Sequence, residues 1–218
     1  MDAERDTDRL ARASLAAGDP TGWFERLYAE AERGTAEVPW DRPAATPLLS
    51  AWAAETRVSG AGRRALVVGC GLGRDAEFVA GLGFATTAFD ISETAVRGAR
   101  ARHPHSLVRY VVADLLDPPA SWPARFDLVV ESNNVQALPR ALRQRAIASV
   151  GTLVAPGGTL LVLAAKADRP GDDGPPWPLT RAEVESFARD GLDTASIDEF
   201  PAPDDPLSMR WRAVFTAR

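Results

Sequence analysis

The segment Leu66-Val67-Val68-Gly69-Cys70-Gly71-Leu72-Gly73-Arg74-Asp75-Ala76 carries the strongest chemical signal in the 218-residue chain. An apolar run of strand character enters a glycine-rich turn, and a segment of helical character leaves it. Glycine admits positive φ and, lacking a Cβ, lets a ligand approach the backbone closely. The helix beyond presents unpaired N–H groups at its first turn. Gly71 to Ala76 satisfies the dinucleotide pattern G-x-G-x-x-G/A. Asp90 ends the next apolar run, Ala88-Phe89-Asp90-Ile91, where an acidic side chain suits the two hydroxyls of a ribose. That sugar occurs in nicotinamide dinucleotides and in S-adenosylmethionine, so these two features alone do not choose between them. Asp114, in Val112-Ala113-Asp114-Leu115, ends a third run, at a position suited to an adenine amino group.

Groups able to move a proton are scarce. Only one of the 25 basic residues is a lysine, Lys166, and there are two histidines, His103 and His105. Both histidines fall in a connection that returns to the N-terminal edge of a sheet, opposite the crevice where ligands bind, and read as solvated loop residues. Asp41, Glu131, Lys166 and the amides of Asn133 and Asn134 are the other candidates. Asn133-Asn134 follows a fourth strand, Lys166 a fifth, and Arg210 beside Trp211 suits an anionic group. The single Cys70 excludes an intrachain disulfide and a multi-cysteine zinc site. It reads as a small residue of the glycine turn, not a nucleophile. No metal site is expected, and no residue is assigned as catalytic.

An α/β scaffold must position these groups. Strands are expected at Ala65–Val68, Thr86–Phe89, Val108–Val112, Phe126–Val130 and Thr159–Ala164, with helices at about 74–82, 92–102 and 139–153 between them. Such alternation implies parallel strands with right-handed crossovers. Residues 168–178 read as a loop, and Thr180-Arg181-Ala182-Glu183 as a capping box opening a helix to about Arg189. Thr194–Phe200 and Trp211–Thr216 are close enough to pair antiparallel across Pro201–Pro206. Ahead of the first strand, residues 4–17 read as helical. Asp19 as cap and Pro20 at the first helical position open a second helix to about Arg33. Its Trp23, Phe24, Leu27, Tyr28 and Ala31 form an apolar face. A further helix runs from Pro47 to Thr56.

Taken in order, the glycine loop, Asp90, Ala113-Asp114, Phe126-Asp127-Leu128-Val129-Val130 and Pro156-Gly157-Gly158 resemble the class I S-adenosylmethionine-dependent methyltransferases over about residues 63–166. The resemblance implies a Rossmann-like seven-stranded, mostly parallel sheet with an antiparallel final strand. It also implies that Gly69, Cys70, Gly71 and Gly73 take the methionine part of the cofactor and Asp90 the ribose. Ile91, Asp114 and Leu115 would meet the adenine, and Glu131 would sit near the methionine amino group. Trp23-Phe24-Glu25-Arg26-Leu27-Tyr28, with Pro39-Trp40-Asp41, is similar to the N-terminal cover of the thiopurine S-methyltransferase and thiol/halide/tellurite methyltransferase group. There, such motifs close over the cofactor, which implies a cofactor role for Trp23 and Trp40. Pro175-Pro176-Trp177-Pro178-Leu179 echoes that group's substrate-side loop. Tyr28, Asn133, Asn134, Lys166, Trp177 and Arg210 are the expected acceptor-side residues. Residues 1–60 are expected to form a helical cover within the same domain, and residues 61–218 the cofactor-binding part.

Composition sets outer bounds. Hydrophobic residues at 45% and charged residues at 25% suit one globular domain, and the net charge of −5 disfavours a nucleic-acid surface. With neither an apolar span of membrane length nor a secretory leader at the start, the chain is expected to be soluble and cytoplasmic. Methyl transfer from a sulfonium is an in-line displacement driven by positioning. The shortage of well-placed bases favours a small acceptor with a thiol or other soft heteroatom. The alternatives are O- or N-methylation of a small metabolite, an NAD-dependent oxidoreductase, and a non-catalytic cofactor-binding protein. The oxidoreductase would lack a Tyr-x-x-x-Lys pair, because Lys166 has no tyrosine four residues before it.

Overall fold

Glycines in the left-handed region and prolines divide the N-terminal stretch into three helices, α1 (Ala3–Ala16), α2 (Gly22–Glu32) and α3 (Pro47–Thr56). Gly18 at φ +74° and Gly34 at φ +73° follow the first two, and Pro47 opens the third. The structure, a computed structural model, describes residues 3–171, 174–202, 205 and 207–218. Helix α2 begins two residues later than Pro20. The Asp19 carboxylate turns the chain there, accepting from the Thr21 amide at 3.2 Å and the Gly22 amide at 2.8 Å.

Strands and helices then alternate: β1 (Arg64–Val68), α4 (Arg74–Gly81), β2 (Ala85–Asp90), α5 (Glu93–Arg102), β3 (Arg109–Val112), β4 (Phe126–Ser132), α6 (Arg140–Thr152), β5 (Val154–Ala165), α7 (Arg181–Glu185), β6 (Leu192–Pro201) and β7 (Met209–Ala217). The seven strands form one sheet in the order β3-β2-β1-β4-β5-β7-β6. Strand β7 runs antiparallel to both of its neighbours, and all other neighbouring strands pair parallel. The order reverses between β1 and β4, and that switch point is where an open α/β sheet leaves a crevice at its carboxyl edge. The expected elements are present with shifted ends. Strand β5 starts at Val154 because Pro156-Gly157-Gly158 interrupts its pairing with β4 without ending it. Helix α7 stops at Glu185, and its capping box is formed between Thr180 and Glu183. The expected 168–178 loop includes Asp172 and Asp173, and the expected Pro201–Pro206 connection includes Pro203, Asp204 and Pro206. These five lie outside the described residues.

Parallel strands buried on both faces read as continuous apolar runs, and the two faces divide those runs between two cores. Leu66, Val68, Val129, Leu160 and Val162 pack with Ile147 and Val150 of α6. Ala65, Val67, Leu128, Val130 and Leu161 pack with α3, α4 and α5 through Leu49, Val79 and Val96. A third cluster of Leu10, Ala11, Trp23, Leu27 and Ala36 joins α1 to α2. No helix among the described residues is long and apolar enough to cross a membrane.

Candidate active site

The turn after β1 is held from the neighbouring strand. The Cys70 amide donates to the Phe89 carbonyl at 2.8 Å, and the Gly71 amide to Asp90 Oδ2 at 2.9 Å. Asp90 Oδ1 accepts from the Ser92 amide at 2.9 Å. Asp90 is 6% exposed, and burial pushes its carboxyl up to about 6 against the pull of these donors. Gly69 and Gly71 adopt φ of +55° and +52°, and neighbouring side chains add a second demand for glycine. A Cβ on Gly69 would fall 1.6 Å from Asn134 Oδ1, and one on Gly71 would fall 2.7 Å from the Tyr28 hydroxyl oxygen. Side chains of the chain itself thus pack against the face of each glycine that a Cβ would occupy.

A cavity of about 610 Å³ opens between this turn and the N-terminal helices. Trp23, Phe24 and Tyr28 of α2 line it together with Trp40. Trp23 stacks on Phe24 with centroids 3.8 Å apart, and Trp40 meets Trp23 edge-on at 6.1 Å. Trp40 Nε1 donates to the Tyr28 hydroxyl at 2.7 Å, and burial pushes that hydroxyl well above its usual range. Asn133, Asn134, Pro175, Pro176 and Arg210 also line the cavity. Arg210 Nη1 donates to Asn133 Oδ1 at 2.9 Å, and Asn134 Nδ2 to the Val68 carbonyl at 2.8 Å.

Polar clamps absent from the sequence reading pin the N-terminal part to α4 and α5. Glu25 accepts from Ser92 Oγ at 2.6 Å, from Thr94 Oγ1 at 2.5 Å and from the Thr94 amide at 3.1 Å. Burial opposes ionisation of Glu25, but these donors outweigh it and hold the carboxyl below its ordinary range. Asp75 accepts from the Thr46 amide and hydroxyl at 2.7 and 2.9 Å. Arg102 holds Asp41 through two bonds, of 2.6 and 3.0 Å, so Asp41 is engaged as a counter-ion.

Of the expected site residues, Trp23, Tyr28, Trp40, Gly69, Cys70, Gly71, Asp90, Asn133, Asn134 and Arg210 line the cavity. Gly73 caps α4 beside it. Ile91, Asp114 and Leu115 follow the ends of β2 and β3, outside the cavity wall, and Asp114 Oδ1 accepts from the Leu116 amide at 2.7 Å. Three expectations are corrected. Glu131 is 0% exposed and absent from the cavity wall. Its Oε1 instead accepts from the amides of Asn134 and Val135 at 2.7 and 2.9 Å, and burial pushes its carboxyl up to about 7. Lys166 turns to β6, 2.7 Å from Glu199, because an exposed partner there avoids desolvating the ammonium. Trp177 is buried as an anchor. Its amide donates to the Gln136 carbonyl at 2.7 Å, and its carbonyl accepts from the buried Arg143 at 2.6 Å, leaving Pro175 and Pro176 to face the cavity. The histidines also divide. His105 is exposed, whereas His103 Cδ2 lies 3.2 Å from the place of a Cβ on Gly73, although His103 does not line the cavity. Burial pushes the Cys70 thiol well above its usual range, which suits its reading as a spacer.

A profile of the thiopurine S-methyltransferase (TPMT) family matches residues 30–202. The ubiquinone biosynthesis O-methyltransferase of Thiobacillus denitrificans is 35% identical over 114 residues, covering 51% of this chain and 48% of that protein. The chain thus spans about half the length of the curated relatives it matches. Among solved structures, one from work on conversion of a disulfide bond into a thioacetal group during echinomycin biosynthesis superposes with a TM-score of 0.71. It is 24% identical and covers 89% of this chain and 93% of that one. The 1,6-didemethyltoxoflavin-N1-methyltransferase of Burkholderia thailandensis, with bound 1,6-didemethyltoxoflavin and S-adenosylhomocysteine, superposes at 0.67 with 17% identity over 100% of this chain and 92% of that one. The glycine pattern is shared with NAD-binding folds, and the family match separates the two. The chain belongs to the thiopurine S-methyltransferase family of class I S-adenosylmethionine-dependent methyltransferases.

Proposed function

We propose that the protein methylates a small acceptor at a thiol or another soft, easily ionised atom. S-adenosylmethionine, when bound, supplies a methyl group on a cationic sulfonium that a nucleophile displaces in line. The observation that carries the acceptor class is the composition of the cavity wall. Among its described residues there is no histidine or lysine, and three of its four carboxylates are engaged: Asp41 by Arg102, Asp75 by Thr46, and Asp90 by the Gly71 and Ser92 amides. The fourth, Asp8, is exposed. An acceptor in such a site does best if it ionises unaided, and a thiol is a few per cent ionised at neutral pH.

In this reading Asp90 takes the ribose hydroxyls, and the Gly69–Gly71 backbone takes the methionine part. Ile91, Asp114 and Leu115 border the adenine beyond the cavity. Residues 1–60 are the cover, Trp23 and Trp40 close over the cofactor, and Tyr28, Asn133, Asn134 and Arg210 face the acceptor. The buried acid at Asp90 and the aromatic wall suit a nucleoside carrying a sulfonium. An oxygen acceptor is the second reading, favoured by the relative from Thiobacillus denitrificans, whose name specifies O-methylation. A panel of small thiols, phenols and amines, read by release of S-adenosylhomocysteine, tests both. Thiols are expected to turn over fastest, and turnover confined to hydroxyl or amine acceptors overturns the thiol assignment.

A further inference from the structure

Three arginines line the cavity: Arg42, Arg74 and Arg210. Arg210 donates to Asn133, and Arg42 is engaged elsewhere. The Arg74 side chain has no hydrogen bond or ion pair among the described residues, and its Nε is hidden from solvent without an acceptor. A guanidinium N–H withdrawn from water with no partner is unfavourable and calls for an explanation. The nearest acids along its own helix are committed: Asp75 to Thr46, and Glu77 to the Tyr110 hydroxyl at 2.5 Å. An acceptor oxygen of a ligand seated in the cavity would supply the missing partner.

We propose that Arg74 is the counter-ion for the carboxylate at the amino-acid end of S-adenosylmethionine. This rests on the cofactor reading of the cavity given above. Arg74 directly follows the glycine turn at the start of α4, and Gly71 of that turn is bonded to Asp90. The ribose end and the amino-acid end of one ligand are thus addressed from the two flanks of a single turn. The sulfonium and the amino group of the cofactor are cationic, so its carboxylate is the group that complements a guanidinium. The planar fork of arginine binds a carboxylate through two parallel N–H bonds, which a lysine cannot reproduce.

The test is calorimetric binding of S-adenosylmethionine and of its decarboxylated form, which differ only in that carboxylate. Wild type, Arg74→Met and Arg74→Lys are compared at low and high salt. Arg74→Met is expected to weaken S-adenosylmethionine by about tenfold to a hundredfold, as for loss of a charged hydrogen-bonded pair. It should leave the decarboxylated ligand within about twofold of wild type, with Arg74→Lys intermediate and the difference shrinking as salt rises. Equal losses for both ligands would mean that Arg74 only supports the turn, and would overturn the proposal. Unchanged S-adenosylmethionine affinity with a raised acceptor KM would overturn it too, placing the cation on the acceptor side. Failure of wild type to bind S-adenosylmethionine refutes the cofactor reading and the proposal with it. Wild-type binding with an indifferent Arg74→Met refutes the proposal alone.

Discussion

Replacing Glu131 with glutamine should make the protein more stable at alkaline pH while leaving cofactor affinity intact. The side chain is fully buried, and both amides that bind it converge on one oxygen, Oε1. Its Oε2 has no partner. Glutamine keeps the acceptor where both bonds land and puts a neutral amide where the unpartnered oxygen was. Burial raises the Glu131 carboxyl from 4.5 to about 7, so the folded chain holds this proton more tightly than the unfolded chain. Stability therefore falls as pH rises from about 4.5 to about 7, and the full cost is present above that range. At about 1.4 kcal/mol per unit the gap corresponds to roughly 3 kcal/mol. An unpaired buried amide takes back about 1 kcal/mol or more, leaving a net gain of about 1–2 kcal/mol for Glu131→Gln above pH 8. Near pH 5, where the wild-type carboxyl is protonated, the gain should vanish. Urea denaturation of both proteins at pH 5 and pH 8.5, compared at matched m-values, reads this directly. A variant destabilised equally at both pH values would refute the buried-charge argument. A tenfold loss of S-adenosylhomocysteine affinity would show instead that the carboxylate serves the ligand, as the resemblance implied.

Asp90→Ala should cost at least a hundredfold in S-adenosylhomocysteine affinity, because two charge-assisted ribose bonds of roughly 1.5–3 kcal/mol each are lost; calorimetry showing unchanged affinity rejects the assignment. Because burial raises the Asp90 carboxyl to about 6, wild-type affinity should decline as pH falls through 6, where a proton occupies the ribose acceptor, and isotherms flat from pH 5 to pH 8 would contradict this. Gly69→Ala should destabilise the fold by about 2 kcal/mol or more, since it forces a Cβ into φ +55° and against Asn134 Oδ1. Adding Asn134→Ala to Gly69→Ala should recover part of that loss in urea melts; recovery of none would mean that backbone strain alone is responsible.

The elements legible from sequence are those whose signals are local. Alternating apolar runs and helical segments announce a parallel α/β sheet, and Thr180 with Glu183 announces a helix start. The glycine turn with Asp90 marks the crevice, because positive φ and a strand-end acid are properties of neighbouring residues. The closing pair β6 and β7 is legible for the same reason, since hairpin partners lie close together in the chain.

Side-chain destinations were a different matter. Glu131, Lys166 and Trp177 each sit at a position where projection into the crevice was reasonable, and each found a better partner elsewhere: two turn amides, Glu199, and the Gln136 backbone with Arg143. Connectivity alone puts His103 at the far edge of the sheet, yet it lies beside Gly73. The clamps on the N-terminal helices join Glu25 to Ser92 and Thr94, Thr46 to Asp75, and Asp41 to Arg102, across 29 to 69 positions of sequence. Periodicity and turn chemistry report where a backbone goes and which face is apolar. They are silent on which distant acid meets which hydroxyl, because that choice follows from packing two cores and a third cluster at once. The chain's local patterns specify a crevice for a nucleoside cofactor, and only the packed tertiary structure selects the side chains that reach into it.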